Sequence, residues 1–208
     1  MDLQNKTIVF FGDSITDSAK FSNPNYPYGA GYFHMIKAEL DVFYPQLNVT
    51  LYNEGISGNK TENLLERFDT DVVPHNPDLV VMFIGINDVW HPVEAGGRPI
   101  FNEIFNRFDI LIDRIKALNS EVLLITPILF PTDEFFSNLL PIFEEFTVEY
   151  KKYLENRKIE YIDLYEILKP YSILSNNRVT KDSVHPTPFG HGLIAQTIID
   201  YLIKLKWL

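Results

Sequence analysis

Four short segments carry residue types that suit nucleophilic catalysis: Gly12-Asp13-Ser14-Ile15-Thr16-Asp17, Asn53-Glu54-Gly55-Ile56-Ser57-Gly58-Asn59, Gly85-Ile86-Asn87-Asp88 and Asp182-Ser183-Val184-His185-Pro186. A serine hydroxyl is a weak nucleophile and needs a base within hydrogen-bond reach. Ser14 is the candidate nucleophile and His185 the candidate base. Asp182 precedes His185 by three residues, close enough on one turn to accept its Nδ1–H and fix the tautomer. Attack on an ester carbonyl also needs donors aimed at the developing oxyanion. The backbone N–H groups of Ser14 and Gly58 and the side-chain amide of Asn87 are the candidates, glycine at 58 letting the backbone come close. Singly, each segment reads as a turn or a helix cap. Their joint, ordered occurrence points to one site.

The elements that must position these residues follow from periodicity. Short apolar, β-branched runs fall at Thr7–Phe11, Val49–Tyr52, Leu79–Ile84, Val122–Ile125 and Tyr161–Ile162. Near-continuous apolar runs of this length suit strands of a parallel sheet, buried on both faces. Helical stripes lie between and after them, at Tyr32–Leu40, Thr61–Val73, Phe101–Leu118, Leu140–Asn156 and Phe189–Leu205. This alternation predicts an α/β fold with right-handed crossovers. The first three chemical segments come just past predicted strands, and the fourth just before the last helix. In open parallel sheets, ligands bind beyond the carboxyl ends of the strands. The Pro/Gly-rich pieces Asn23–Gly31, His91–Pro99 and Pro127–Pro131 read as loops of that same edge. With no linker, repeat or low-complexity tract, residues 1–208 read as one domain.

Composition narrows the function. A chain of 208 residues buries roughly 70% of its unfolded surface, enough for a core without staples. The absence of cysteine excludes disulfides, a thiol nucleophile and thiolate metal sites. Lys+Arg 18 against Asp+Glu 28 leaves a net charge of −10, which repels phosphate backbones and argues against nucleic acid as a partner. No apolar run approaches the ~18 residues of a membrane span, and Met1–Lys6 lacks a signal-peptide pattern. The expectation is a cytoplasmic protein with no membrane partner, a homo-oligomer remaining open.

The ordered blocks resemble the SGNH/GDSL hydrolase family, whose name residues stand here as Ser14, Gly58, Asn87 and His185. The first block has Ile15 where Leu is common. The resemblance spans most of the chain. It implies a three-layer α/β/α, flavodoxin-like fold with a five-stranded parallel sheet of order 2-1-3-4-5. It also implies a small-molecule ester substrate, an acyl-serine intermediate and no cofactor or metal. Within the family, Gly29-Ala30-Gly31-Tyr32, Tyr44-Pro45-Gln46-Leu47, Gly55-Ile56-Ser57-Gly58-Asn59, Gly85-Ile86-Asn87-Asp88-Val89-Trp90 and Gly190-His191 are similar to an intracellular bacterial acetylxylan-esterase branch. That branch implies acetyl removal from xylo-oligosaccharides. It tends to carry Arg where this chain has His91.

Four residues are candidates for the substrate pocket: Asp13, Trp90, His91 and Phe130. Trp90 offers a face for an acyl group or the apolar face of a sugar, and His91 a hydrogen bond to a sugar hydroxyl. Phe130 belongs with Phe135 and Phe136 to an aromatic stretch after strand four. The competing readings are a generic short-chain carboxylesterase or lysophospholipase, and a metal-dependent phosphohydrolase with Mg²⁺ on Asp13, Asp17 and Asp88. The latter has no need of His185 beside Asp182. A catalytically dead binding module is a third class, one expected to have lost Ser14 or His185.

Overall fold

The computed structural model describes residues 3–20, 25–174 and 178–205. Five strands, β1 (Thr7–Gly12), β2 (Thr50–Gly55), β3 (Leu79–Phe83), β4 (Glu121–Ile125) and β5 (Glu160–Ile162), form one sheet of order β2-β1-β3-β4-β5. Every pairing is parallel. β3 is buried throughout, and β1 and β4 are buried after their first residue, whereas edge strand β2 stays half-buried. This matches the near-continuous apolar reading of the inner strands. The fold class and strand order are those the resemblance implied.

The helices are α1 (Ser14–Asp17), α2 (Tyr32–Phe43), α3 (Thr61–Asp71), α4 (Ile86–Glu94), α5 (Phe101–Ala117), α6 (Glu134–Arg157), α7 (Leu164–Leu174) and α8 (Pro188–Lys204). α2 packs with α8, while α3, α5 and α6 pack in succession. A chain that steps from β1 to β2, then back across β1 to β3, must place its right-handed crossovers on opposite faces. The sheet thus becomes the middle of three layers.

Register explains why the chemical segments meet. Gly12 lies opposite Gly55 on one side and Phe83 on the other. The carboxyl ends of β2, β1 and β3 are therefore level, and the chain leaving each of them emerges beside its neighbours. Gly12 has to be glycine, since a Cβ there would lie 2.6 Å from the Phe83 carbonyl oxygen.

Several elements depart from the periodicity reading. Gly85-Ile86-Asn87-Asp88, which singly reads as a turn, opens α4, with Gly85 at φ +124° as its N-cap. α6 starts at Glu134 rather than Leu140, because the Asp133 carboxylate accepts the Phe136 N–H at 3.0 Å. Pro141 lies inside that helix. α7 was not anticipated; it contains Pro170. β2 continues through Glu54 and Gly55, which read as loop. Of the Asn23–Gly31 loop, residues 23 and 24 lie outside the described residues. The rest folds back on α1, Ala30 N–H donating to the Ser18 carbonyl at 2.8 Å. Among the described residues no helix is long and apolar enough to cross a membrane.

Candidate active site

Ser14 is the first residue of α1, a single turn that starts where β1 ends. Asp13 caps that turn: its Oδ1 accepts the Ile15 N–H at 2.9 Å. The cap holds Ser14 at the head of the turn with its side chain half-buried. Across the cleft, the chain after α7 makes a compact loop tied by a bridge between Thr180 and Pro186. Ser183 is buried in this loop, its carbonyl accepting Phe130 N–H at 2.9 Å and its hydroxyl oxygen accepting Thr132 N–H at 2.8 Å. These bonds anchor the loop to the segment that follows β4.

The loop brings His185 to Ser14. The Ser14 Oγ and His185 Nε2 are 2.9 Å apart. His185 Nδ1 lies 2.9 Å from Asp182 Oδ2 and 3.1 Å from Oδ1. Asp182 Oδ1 also accepts the backbone N–H of His185 at 2.8 Å and of Val184 at 3.3 Å. Partial burial works to raise the Asp182 carboxyl. The His185 backbone hydrogen bond, the His185 ring and the Val184 N–H outweigh it and hold the group below its ordinary value. An ionised Asp182 fixes the proton on Nδ1 and leaves Nε2 free to accept one from a hydroxyl.

The candidate oxyanion donors follow β2 and β3. Gly58 sits at φ +81°, a left-handed conformation that favours glycine, in a turn closed by Asn59 N–H on the Ile56 carbonyl at 3.2 Å. Asn87, in the first turn of α4, is buried, and its Nδ2 donates to the Asn59 carbonyl at 3.0 Å. Asp88 faces the other way. Its carboxylate accepts the Thr61 N–H at 3.0 and 3.2 Å and the Thr61 hydroxyl at 2.6 Å, capping α3. Burial raises the Asp88 carboxyl to about 6 against these bonds.

A cavity of about 750 Å³ opens beside Ser14, walled by Asp17, Ser57, Lys181, Asp182, His185 and His191 among others. The candidate pocket residues sit elsewhere. Asp13 is buried as the cap of α1, where burial raises its carboxyl to about 7. Phe130 turns into the core and stacks on Tyr165 at 5.6 Å. Trp90 and His91 are neighbours on α4 with their rings tilted 60° to each other, and Trp90 lies edge-on to Phe136 at 5.0 Å. Phe130 is thus packed in the core, and Trp90 spends one edge on α6. The three carboxylates of the metal reading are otherwise engaged or apart: Asp13 caps α1, Asp88 caps α3, and Asp17 lines the cavity. Among the described residues no group of His, Asp or Glu is placed to hold a metal ion.

Sequence reasoning missed three contributors. Arg67 donates to the Gly12 carbonyl at 2.9 Å and to Asn59 Oδ1 at 2.7 Å, joining the Ser14 turn to the Gly58 loop. Nothing in its helical stripe marks it. Lys181 stands directly before Asp182 and lines the cavity. His191 follows in the first turn of α8, its Nδ1 accepting the Tyr32 N–H at 3.2 Å. Burial first, then the neighbouring Lys181 ammonium and His185 ring, pushes the His191 ring down to about 4. The Gly190-His191 pair was visible in the sequence, but not its partner on α2.

Comparison with known proteins gives a consistent picture. The sequence model of the GDSL-like Lipase/Acylhydrolase family matches residues 10–193. An acetylxylan esterase from Geobacillus stearothermophilus is 28% identical over 205 residues, covering 92% of this chain and 91% of that protein. The structure of a catalytic mutant of Axe2, an acetylxylan esterase from the same organism, superposes with a TM-score of 0.83 at 25% identity, covering 96% of this chain and 95% of the other. A protein from Parabacteroides merdae classed as a GDSL-like lipase superposes with a TM-score of 0.86 at 28% identity over 95% of each chain.

Proposed function

The chain belongs to the GDSL-like lipase/acylhydrolase family, and from that membership we propose that it is a serine esterase removing acetyl groups from sugars such as xylo-oligosaccharides. It is a carboxylic ester hydrolase acting on small-molecule esters; the serine mechanism, the residues and the acetyl-sugar preference are the proposal. The observation that carries it is the unbroken relay Ser14–His185–Asp182, in which the Ser14 Oγ–His185 Nε2 and His185 Nδ1–Asp182 Oδ2 hydrogen bonds are each 2.9 Å.

The steps follow from this geometry. His185 Nε2 takes the Ser14 proton as Oγ bonds to the ester carbonyl carbon. The carbonyl π pair moves to oxygen, and the N–H groups of Ser14 and Gly58 with the Asn87 amide face that negative charge. Collapse breaks the bond to the alcohol oxygen, which leaves with the proton from His185. Water then attacks the acyl-serine, giving its proton to His185. Collapse of the second tetrahedral adduct returns that proton to Ser14 Oγ and frees the carboxylic acid.

Two observations support a polar leaving group. The cavity has both Ser14 and His185 in its wall, with the polar side chains of Asp17, Ser57, Lys181 and His191 beside them. The acetylxylan esterase likeness covers nearly the whole of both chains. The test compares kcat/KM for acetylated xylo-oligosaccharides, alkyl acetates and octanoyl esters, with Ser14→Ala as blank. A preference for acetyl sugars, abolished in Ser14→Ala, is expected. Faster octanoyl turnover would make the protein a lipase or lysophospholipase, and full activity in Ser14→Ala would overturn the nucleophile.

A further inference from the structure

We propose that His191 is a positioning residue for the Ser14–His185 pair, its neutral ring tying the helix that follows His185 to the two elements that hold the Ser14 turn. The inference rests on the reading of Ser14 and His185 given above.

Three contacts make the tie. First, α8 begins just past the base, with Thr187 as N-cap: its Oγ1 accepts Gly190 N–H at 3.1 Å, and its carbonyl accepts His191 N–H at 2.8 Å. This fixes His191 relative to the His185 loop. Second, His191 Nδ1 accepts the N–H of Tyr32, the first residue of α2, at 3.2 Å. The N-cap of α2 is Gly31, which makes no side-chain cap bond. A helix begins with unpaired N–H groups, and burying one without a partner is costly. His191 therefore supplies across space the cap that Gly31 lacks. Third, a lone pair used at Nδ1 places the hydrogen on Nε2, which faces Ser18 Oγ at 3.5 Å. Ser18 closes α1, its N–H donating to the Ser14 carbonyl at 2.9 Å.

A second strut runs through Tyr32. Its ring lies nearly parallel to that of His191, 22° between planes with centroids 6.4 Å apart. Its hydroxyl meets Thr16 Oγ1 at 2.9 Å, on the turn that carries Ser14. The fit has no slack: a Cβ on Gly31 would collide with the Ser18 hydroxyl and lie 2.7 Å from His191 Cε1. Both struts end on α1, so a shift of α8 is felt at the distance between nucleophile and base. Misplacement by about 1 Å costs a rate factor of about 10². Only the neutral ring can do this, because a proton on Nδ1 would face the Tyr32 N–H donor to donor.

The test measures p-nitrophenyl acetate turnover by His191→Leu, His191→Asn and Tyr32→Phe, with active sites counted by fluorophosphonate labelling of Ser14. His191→Leu should lower kcat per labelled site about 10- to 100-fold with KM changed less than about threefold. His191→Asn keeps an acceptor for the Tyr32 N–H and should recover to within about fivefold of native. Tyr32→Phe keeps the ring stack and loses only the Thr16 bond, so it remains informative should the leucine variant fail to fold. It should lower kcat at least about threefold. Native kcat per site in the leucine variant, an asparagine variant no better than leucine, or an unchanged Tyr32→Phe would each overturn the proposal. Ser14→Ala measured alongside separates the two readings. Full activity there refutes the nucleophile itself, whereas an inert Ser14→Ala beside a fully active His191→Leu removes only the tie.

Discussion

The Asn87 side chain gives one of its two amide hydrogens to the Asn59 carbonyl, at 3.0 Å. An amide NH₂ has two donors, so this bond sets the direction of the second. Asn59 is itself held, its Oδ1 accepting from Arg67 Nε at 2.7 Å. The second hydrogen is thus oriented before any substrate arrives, which is what makes a donor effective toward charge that develops during reaction.

Asn87→Ala is accordingly expected to lower kcat by about 10²–10³. KM should change little, because the donor acts on charge absent from the bound substrate. Steady-state kinetics on p-nitrophenyl acetate checks this. A raised KM at native kcat would make Asn87 a ground-state contact.

Asp182→Asn should depress kcat by up to about 10⁴ while leaving the loop in place. Asn keeps an oxygen for the His185 and Val184 N–H groups that Asp182 Oδ1 accepts. Its NH₂ would meet Nδ1 as a donor and push the ring proton onto Nε2, where it blocks the Ser14 proton. Proton NMR of the His185 ring, read beside kcat, distinguishes this from simple unfolding.

Asp13 and His191 should bend the pH dependence of stability in opposite senses. Asp13 is raised from 3.8 to about 7, so the native state binds the extra proton and stability falls as pH rises across that interval. His191 is lowered from 6.5 to about 4, so the unfolded state binds the extra proton and stability falls as pH drops across that one. From pH 4 to 6.5 each shift is worth about 3 kcal/mol. Urea unfolding at a series of pH values gives the check. The stability of Asp13→Asn minus native should grow by about 3 kcal/mol over this window, and that of His191→Asn minus native should shrink by about as much. A flat difference in either case refutes the corresponding shift.

Asp88→Ala should cost about 2–3 kcal/mol, because the Thr61 N–H and hydroxyl lose their acceptor in a buried place. Chemical denaturation measures it. The same variant should lose activity less than Asn87→Ala does, since Asp88 points at α3 and not at the cavity. Equal losses would mean that Asp88 acts in the reaction.

The sheet was legible because its information is local. Val80, Val81 and Met82 are apolar in a row since both faces of β3 are covered, and no distant fact is needed to see it. The chemical segments were legible because serine, histidine, asparagine and glycine keep their chemistry wherever the chain takes them. Pocket lining was not. Phe130 can stack on Tyr165 or meet a ligand with the same side chain, and only the path of the chain after β4 decides between them. α4 was hidden for a related reason: Gly85 and Asn87-Asp88 are turn formers, and the cap they make over Thr61 joins residues 27 apart. Arg67 and His191 escaped because their partners, Gly12, Asn59 and Tyr32, lie on other elements.

The 171 residues that separate Ser14 from His185 also order events in time. A ribosome adds about 5–20 residues per second, so Ser14 is made roughly 10–30 s before His185. The nascent sheet can form from β1 to β4 with an unactivated alcohol at its edge. On the proposed mechanism, hydrolytic competence then appears in one step, when the last loop docks. On the same mechanism, a chain stalled before that point would carry an inert hydroxyl and not a half-working enzyme.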